Sequence, residues 1–455
     1  MERSAFYRTI WRWHFYAALF VVPMVLILAT TGPIYLFKPQ IERWEERSFE
    51  GLSTVGSVTP EAQLAAALAA VPGGSFQSYR LPQKTGDAVL INVKMVDGQS
   101  SRDVFVSPQG KVVGILDPDK RIAQLAHDVH GQLLLGPKGS WLVELAACWA
   151  IVMIITGLYL WWPRGSGLTG VIVPRTRYGG RVFWRDLHAV AGFWVSAFAL
   201  VLLVTGLPWT DVWGRSFKTV RAEMGWVKGK QDWTTGGRSA DADEHAQHAG
   251  MMMAPKAISR DDHHPMMPAV SLGSIVVKAQ REHLAFPVLV APPGAVQRAG
   301  PPSPSSKGWT VKSDSQIRPL RVTITYDPMT GTEVRRRGFS DQHVIDKVIG
   351  YGISWHEGQL FGLVNQLIGV ATALLLITLT ISGFTMWLKR KPDGVLGAPP
   401  VPAMPARTGG VVVIVLVLAA LLPMLAISLV TILLLERFVL ARIPAASRWL
   451  GLSPA

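Results

Sequence analysis

The sequence predicts a membrane protein with an all-α helical bundle in the membrane and two small α+β modules outside it. Of its 455 residues, 49% are hydrophobic and only 17% are charged, which is too apolar for an ordinary soluble protein. Five apolar runs approach or exceed the roughly 20 residues that cross a bilayer. They lie at about 15–37, 141–162, 189–209, 363–388 and 411–435. Four of them belong to an internal duplication, and the last is predicted as a fifth transmembrane helix outside the repeat.

The duplication is visible in two histidines that precede the second and fourth apolar runs. The spacing from His130 to Thr156-Gly157 is identical to the spacing from His356 to Ser382-Gly383. One constant offset therefore relates the histidine and the motif of the first copy to those of the second. Such a constant register is the signature of a repeated structural unit.

A second pair of histidines keeps its own register in the first and third runs. His14 precedes Thr31-Gly32 by the same spacing as His188 precedes Thr205-Gly206. Each of the four repeated spans therefore has one histidine at the end where the chain enters. A histidine in a membrane is costly unless it is paired, hydrated or bound to a metal. Four of them at matched positions indicate a shared function.

The net charge of +14 is concentrated beside the predicted spans, which argues against a nucleic-acid-binding face. The clustered residues are Arg3, Arg8, Arg12, Arg164, Arg175, Arg177, Arg181, Arg185, Lys389, Arg390, Lys391 and Arg407. Basic residues in short loops mark the cytoplasmic side of a membrane protein. The pattern therefore predicts a cytoplasmic N-terminus and two long segments outside. It also predicts membrane lipid, and no nucleic acid, as a partner.

The predicted boundaries follow from these spans and charges. In chain order they are a cytoplasmic N-terminus with the first helix (1–37), a first outer module (38–140), the second helix (141–162), a basic cytoplasmic loop (163–188), the third helix (189–209), a second outer module (210–362), the fourth helix (363–388), a cytoplasmic linker (389–410), the fifth helix (411–435) and a C-terminal tail (436–455).

Both outer modules show a helix followed by strands. Thr59 can cap a helix with Pro60 in its first turn, and a second helix follows Ser271. The predicted strands are 88–95, 102–106, 111–116, 321–326 and 332–334. The second module is lengthened by a His- and Met-rich insert (231–268) and a Pro-, Ser- and Gly-rich piece (291–307). The insert has side chains that suit copper, although a disordered polar insert is the favoured interpretation.

The predicted topology sorts the four histidines into two pairs. His14 and His188 begin spans on the inner side, whereas His130 and His356 precede spans on the outer side. Two neutral imidazoles from facing helices are axial ligands for a b-type haem, and helix bundles are a common host for it. The pairs therefore predict two haem b groups in a four-helix haem-binding core. The inner haem would be bound by His14 and His188, and the outer haem by His130 and His356.

Two other interpretations of these histidines stay open, namely unrelated structural residues and a zinc site. A hydrolytic zinc usually has three protein ligands, often in a compact His-Glu-x-x-His motif. Here His356-Glu357 begins like this motif, but Leu360 stands where it requires histidine. The only cysteine, Cys148, lies within a span, so the sequence carries no disulfide framework, iron–sulfur site or Cys-x-x-Cys-His haem attachment.

Three further side chains near the spans have their own interpretations. His127 shares a helix face with His130, so it is expected to support the haem or face the substrate, with a swap of the ligand role as the alternative. His343 has no matching residue in the other copy and is expected to be solvated. Glu144, whose counterpart is Val370, is expected to be a snorkelling carboxylate, with proton transfer as the alternative.

Several motifs resemble one family as a set. They are Trp-Arg-Trp-His-Phe-Tyr-Ala-Ala-Leu-Phe at 11–20, His-Gly-Gln-Leu-Leu-Leu-Gly at 130–136, Gly-Leu-Tyr-Leu-Trp-Trp-Pro-Arg at 157–164, Phe-Trp-Arg-Asp-Leu-His at 183–188 and the Tyr-Asp-Pro-x-Thr-Gly turn at 326–331. Over about residues 8–390 the chain resembles the PepSY-associated transmembrane proteins, which include ferric-siderophore reductases of the bacterial inner membrane. The resemblance implies PepSY-like modules in the periplasm, haem-bearing helices and electron flow from inside to outside.

The expected function is that of a di-haem b reductase of the bacterial inner membrane. It would pass electrons from the cytoplasmic side or the quinol pool to a periplasmic ferric siderophore or other iron chelate, releasing Fe(II). No Gly-x-Gly-x-x-Gly loop follows a predicted strand, and the inner segments are short, so the donor is expected to be a quinol or a separate reductase. The alternatives are a non-haem protein that transports or handles iron or copper, and a periplasmic regulator or protease inhibitor.

Overall fold

The chain folds into two compact units, a helical unit and a sheet unit. The computed structural model describes residues 2–98, 100–163, 170–227, 233, 269–295, 307–401 and 409–452. The helical unit comprises Met1–Leu36, Ala126–Val220 and Leu363–Ala455, and the sheet unit comprises Phe37–Leu125 and Arg221–Gly362. The His- and Met-rich insert at 231–268 lies outside the described residues, except for Trp233.

The described elements are long helices and short strands. The helices are α1 (Glu2–Leu36), α2 (Lys38–Glu46), α3 (Pro60–Ala70), α4 (Ile122–Gln132), α5 (Pro137–Trp161), α6 (Gly180–Gly206), α7 (Val212–Glu223), α8 (Leu272–Arg281), α9 (Val344–His356), α10 (Gly362–Arg390), α11 (Gly409–Leu421), α12 (Pro423–Phe438) and α13 (Pro444–Leu450). The strands are β1 (Ser75–Arg80), β2 (Val89–Lys94), β3 (Ser101–Val106), β4 (Val112–Leu116), β5 (Val288–Ala291), β6 (Trp309–Ser313), β7 (Val322–Tyr326) and β8 (Glu333–Gly338).

Four helices of the helical unit are long and apolar enough to cross a membrane. These candidate spans are Ala5–Leu36, Pro137–Trp161, Gly180–Trp209 and Gly362–Arg390, which include the four repeated runs almost entirely. Helix α1 packs along α5, and α5 packs along α6. Helix α1 also contacts α10, because the Gln366 side chain on α10 donates a hydrogen bond to the Leu36 carbonyl at the end of α1 (2.9 Å). Contacts therefore connect α1 with both α5 and α10, and α5 with α6.

The predicted fifth transmembrane helix is wrong, because the chain breaks there into α11 and α12. Pro423 has no backbone N–H and disfavours the α conformation of the residue before it. Accordingly, Leu422 has φ −126° and ψ 86°. At this break the Leu421 carbonyl accepts a hydrogen bond from the indole of Trp213 (2.9 Å). The two shorter helices are packed against each other as a hairpin.

The hairpin returns the C-terminal segment to the end of α1 that carries His14. The Tyr16 hydroxyl donates to the Leu450 carbonyl (2.6 Å), and the Arg12 guanidinium donates to the Gly451 carbonyl (2.9 Å). A single fifth crossing would have put this segment at the opposite end of the bundle. The C-terminal residues therefore lie at the same end of the helical unit as the N-terminus.

One antiparallel sheet of eight strands forms the sheet unit, in the order β4-β3-β2-β1-β5-β6-β7-β8. Strands β1–β4 come from the segment between the first two spans, and β5–β8 come from the segment between the third and fourth spans. The two halves join where β1 pairs with β5, with Tyr79 opposite Val290 and Arg80 opposite Leu289. Each half would otherwise leave a strand edge with unpaired backbone groups, and their pairing removes both edges.

The predicted fold class is therefore wrong in calling the protein an all-α bundle with two small separate modules. Of the residues that the structure describes, about 12% lie in strands of a single sheet, beside 61% in helices. The prediction missed β1, β5 and β6, which are the strands on either side of the junction. The positions predicted for the other strands agree with β2, β3, β4, β7 and the start of β8.

The core of the sheet unit lies between one face of the sheet and helices α3 and α8. Ala67 and Ile275 from the two helices pack with fully buried strand residues, among them Ile91, Val290 and Ile324. The helices also contact each other, since Glu61 on α3 accepts a hydrogen bond from the Gly273 N–H at the start of α8 (2.6 Å). Burial alone would raise the pKa of Glu61, but this bond holds it below its usual value.

Candidate functional site

His14 on α1 contacts the Thr156-Gly157 motif of α5. Its Nδ1 lies 2.9 Å from Oγ1 of Thr156. A Cβ atom built on Gly157 would lie 3.2 Å from Cε1 of His14, so the imidazole rests against the side of α5 that has no side chain. The motif at the C-terminal end of the second span is thus the contact partner of the histidine in the first span.

At the other end of α1 and α5 the roles are exchanged: α1 supplies the Thr-Gly motif, and the histidine comes from the helix just before α5. His130 lies on α4, just before α5, and its Nδ1 is 3.1 Å from Oγ1 of Thr31 on α1. A Cβ atom on Gly32 would lie 3.2 Å from Cε1 of His130. Because Thr31 and His14 lie on the same helix, their sequence positions put the two contacts about 25 Å apart along α1, at about 1.5 Å per residue. They form two separate sites at opposite ends of the bundle.

His188 on α6 makes the third such contact, with the Ser382-Gly383 motif of α10. Its Nδ1 lies 2.9 Å from the Leu379 carbonyl oxygen and 3.3 Å from Oγ of Ser382. A Cβ atom on Gly383 would lie 3.1 Å from Cε1 of His188. The contact therefore repeats in the second copy, with a backbone carbonyl as the nearer partner.

His14 and His188 both lie in the helical unit. They are close enough for a charge on one imidazole to act on the other, and both rings are partly buried. Within the described part of the chain, the hydrogen bonds of both rings are made through Nδ1, which leaves Nε2 of each available to a ligand. This is the arrangement of histidines that bind a metal through one nitrogen and are oriented through the other.

His356 is the last residue of α9 in the sheet unit. Just before it, the Ser354 hydroxyl accepts a hydrogen bond from the Arg318 N–H (2.9 Å) and donates to the Gln316 carbonyl (3.0 Å). At the other end of α9, the Asp346 carboxylate accepts two hydrogen bonds of 2.8 Å from the fully buried Arg221. The helix that carries His356 is thus held at both ends.

His127 and His343 differ from the four repeated histidines. The His127 side chain is 46% exposed, and its Nδ1 lies 3.1 Å from the Asp128 carboxylate. The His127 ring lies beside the ring of Tyr35. Of the two histidines on α4, His130 is the one that contacts a Thr-Gly motif. The expectation that His343 is solvated is incomplete, because its Nδ1 accepts a hydrogen bond from the Ile345 N–H (3.2 Å) and caps α9.

Glu144 is not a snorkelling carboxylate. It is fully buried, and it accepts hydrogen bonds of 2.9 Å from the N–H groups of Val212 and Trp213 at the start of α7. A carboxylate is favourable there because the first N–H groups of a helix have no partner within it. Glu144 therefore connects the second span to α7.

The sequence interpretation missed the role of the hydroxyl residues Thr31, Thr156 and Ser382. Their constant spacing from the histidines along the sequence marks where the spans end. It does not predict that these hydroxyls contact the histidines of other helices. Among the described residues, no group of three or more His, Cys, Asp or Glu is arranged to hold a metal ion. The sites of the helical unit are instead built from imidazoles, hydroxyls and glycines.

Comparison with known proteins agrees with this architecture. A family profile described as the PepSY-associated TM region matches residues 11–390. No curated protein matches the chain. The matched region includes the four candidate spans almost entirely, both halves of the sheet and all four repeated histidines. The chain is therefore a multi-pass membrane protein that belongs to the PepSY-associated transmembrane family.

Proposed function

We propose that this protein is a di-haem b oxidoreductase that passes electrons across the bacterial inner membrane to a ferric siderophore or other iron chelate, whose iron is released as Fe(II). The observation that carries the proposal is the repeated contact of an imidazole with a hydroxyl–glycine motif on a facing helix. It occurs for His14, His130 and His188. In the first and last of these, the ring nitrogen that remains available is the one a haem iron would take.

The donor set fits haem better than it fits a compact metal-ion site. Haem b can be held by two imidazoles and needs no covalent attachment, and the only cysteine, Cys148, is buried within α5. His14 and His188 would hold the inner group, since they lie on different helices of the same unit and each ring is oriented through Nδ1. The assignment of His130 and His356 to the outer group rests on the constant offset of the repeat in the sequence.

A bound haem supplies reversible one-electron chemistry at its iron. The protein's residues bind and orient it. The histidines provide the ligand nitrogens, and the glycines opposite them let the helices approach the imidazole rings. The apolar spans exclude water. Two haems at different depths would carry electrons across the roughly 30 Å hydrocarbon layer, which apolar side chains do not do.

The charges support an orientation with the His14 end in the cytoplasm. Arg12 and Arg390 lie at this end of the bundle, where the Arg390 guanidinium stacks over Trp11. The hairpin adds Arg442 and Arg448, which follow α12 and lie next to the residues that contact Arg12 and Tyr16. Basic residues therefore accumulate at one end, as the positive-inside rule requires.

The electron donor and the acceptor are proposed by class. A quinol in the membrane or a separate reductase would supply electrons near His14 and His188. The ferric chelate would be reduced in the periplasm, near the outer haem. Each electron converts one Fe(III) to Fe(II), which the chelator holds more weakly and releases.

The first test is the haem content of the purified full-length protein. Pyridine haemochrome analysis should give two b-type haems per chain. His14→Ala and His188→Ala should each remove one of them, while His127→Ala, the matched control, should retain both. In His356→Ala, electrons supplied from the inner side should still reduce one haem, but reduction of an external ferric chelate should fall sharply. A colourless wild-type protein would overturn the proposal and favour non-haem metal handling.

A further inference from the structure

The hydroxyl groups that face the histidines use their own protons inside their helices. Thr156 Oγ1 donates to the Val152 carbonyl (2.8 Å), and Thr31 Oγ1 donates to the Ile27 carbonyl (2.8 Å). Ser382 Oγ donates to the Leu379 carbonyl (3.0 Å). A hydroxyl has one hydrogen and two lone pairs. Each hydroxyl therefore offers only a lone pair to the imidazole in front of it.

An imidazole nitrogen that faces a lone pair must carry the hydrogen. Both hydrogen bonds of Thr156 and of Thr31 form at once when Nδ1 of His14 and of His130 is protonated and donates to the hydroxyl. The same conclusion holds independently for His188, because the Leu379 carbonyl at 2.9 Å can only accept. In all three residues the neutral ring then has its lone pair on Nε2, the nitrogen that would bind a metal.

We infer that Thr31, Thr156 and Ser382 are positioning residues that hold each imidazole in the Nδ1–H form and so lower the redox potential of the iron it binds. This inference rests on the proposed function. A hydrogen bond donated by Nδ1–H makes Nε2 a stronger electron donor. A stronger donor stabilises the more positively charged ferric state, and hydrogen bonding of this kind is one way in which a protein tunes a haem potential.

The three contacts should not be equally sensitive to loss of the hydroxyl. His188 has its shorter contact with the Leu379 backbone carbonyl, which no side-chain substitution removes. His130 has Thr31 as the hydrogen-bond partner of its Nδ1, and His14 has Thr156. Removing Ser382 should therefore have the smallest effect of the three.

Redox titration of each haem in the full-length protein tests this order. Thr156→Val should raise the midpoint potential of the inner haem alone, and Thr31→Val that of the outer haem alone. Ser382→Ala should give a smaller rise at the inner haem. Thr156→Ser, which keeps the hydroxyl, should restore the wild-type potential and so separate hydrogen bonding from packing.

The neighbouring Thr30 provides a matched control. It is exposed, and in the described part of the chain its hydroxyl contacts two carbonyls of its own helix, those of Leu26 and Ile27. Thr30→Val should leave both potentials unchanged. Equal potentials in wild type, Thr31→Val and Thr156→Val would overturn the inference while leaving the haem proposal intact.

The tautomers themselves can be measured without any haem. In haem-free protein labelled with ¹⁵N-histidine, NMR should show His14 and His130 with a protonated Nδ1, and Thr156→Val should change the tautomer signal of His14 only. This result is expected even if the chain binds no haem, so the two proposals can fail separately. A protonated Nε2 at both residues would contradict the inference directly.

Discussion

At the residue scale, the histidines depend on neighbours that have almost no side chain. A Cβ atom on Gly157, Gly32 or Gly383 would come within 3.1–3.2 Å of an imidazole carbon, closer than the 3.4–4 Å of ordinary contact. The imidazole and the facing helix backbone therefore touch directly. This explains why hydroxyl and glycine stand next to each other in each motif: one holds the ring by a hydrogen bond and the other makes room for it.

Substitution of Gly157 should affect the proposed inner haem in proportion to the added volume. Gly157→Ala should move the His14 ring by a few tenths of an ångström and change the electron paramagnetic resonance signal of the inner haem. Gly157→Val adds two further methyl groups and should lose this haem, leaving about half of the pigment. Metal sites typically lose about 10–100-fold in affinity when a supporting group is changed.

A glycine in open space serves as the control for this experiment. Gly131 adjoins His130 in α4, and nothing lies within 4 Å of a Cβ atom built there. Gly131→Ala should keep two haems with wild-type spectra. If Gly157→Val also kept both haems unchanged, the contact between His14 and α5 would not belong to a haem site.

At the element scale, one dipeptide changes the path of the C-terminal segment. Leu422-Pro423 interrupts an apolar stretch that would otherwise read as a single span, and the chain turns back on itself. The return is held by polar contacts at the end of α1, from Tyr16 to the Leu450 carbonyl and from Arg12 to the Gly451 carbonyl. The N- and C-termini should consequently lie on the same side of the membrane.

Reporter fusions can distinguish the hairpin from a single crossing. Green fluorescent protein fused after Ala455 should fluoresce, and alkaline phosphatase at the same site should be inactive, as expected for the cytoplasm. Phosphatase inserted at Asp97 should be active, because this position lies between the first two spans. Active phosphatase at both positions would mean that α11 and α12 cross the membrane as one helix.

At the scale of the whole molecule, two distant segments share one sheet. The β1–β5 junction joins residues that are far apart in the chain, and both helices pack on the same face of the combined sheet. Neither outer segment completes the sheet core alone, since Tyr79 and Val290 lie opposite each other within it. The sheet unit should therefore fold only when both segments are present.

A disulfide can test the junction in the full-length protein. In a Cys148→Ala background, Arg80→Cys with Leu289→Cys should cross-link on mild oxidation, because directly opposed residues of an antiparallel pair have Cα atoms about 4.5–5.5 Å apart. Ser78→Cys with Leu289→Cys is the control, since its diagonal spacing of about 7–8 Å exceeds disulfide reach. Mass spectrometry of the linked peptides gives the answer. Equal linkage in both pairs, or in neither, would contradict the register.

The sequence alone determined the features that depend on local pattern. The positions of the four repeated spans follow from the length of their apolar runs. The helix starts at Thr59 and Ser271 follow from local capping, and the pattern of the four histidines follows from their register. Such signals are complete within a short stretch of chain, so no knowledge of distant contacts is needed to read them. The family relationship was recognisable for the same reason, because its motifs are short and contiguous.

Tertiary structure decided the features that depend on residues far apart in the chain. A four-residue strand such as β5 carries no distinctive periodicity, and it becomes a strand because β1 and β6 pair with it. Thr156 acquires its role only through His14, 142 positions away. Glu144 became a helix cap because α7 lies against it. In each case the decisive partner supplies the hydrogen bond or the buried surface, and only folding brings that partner near.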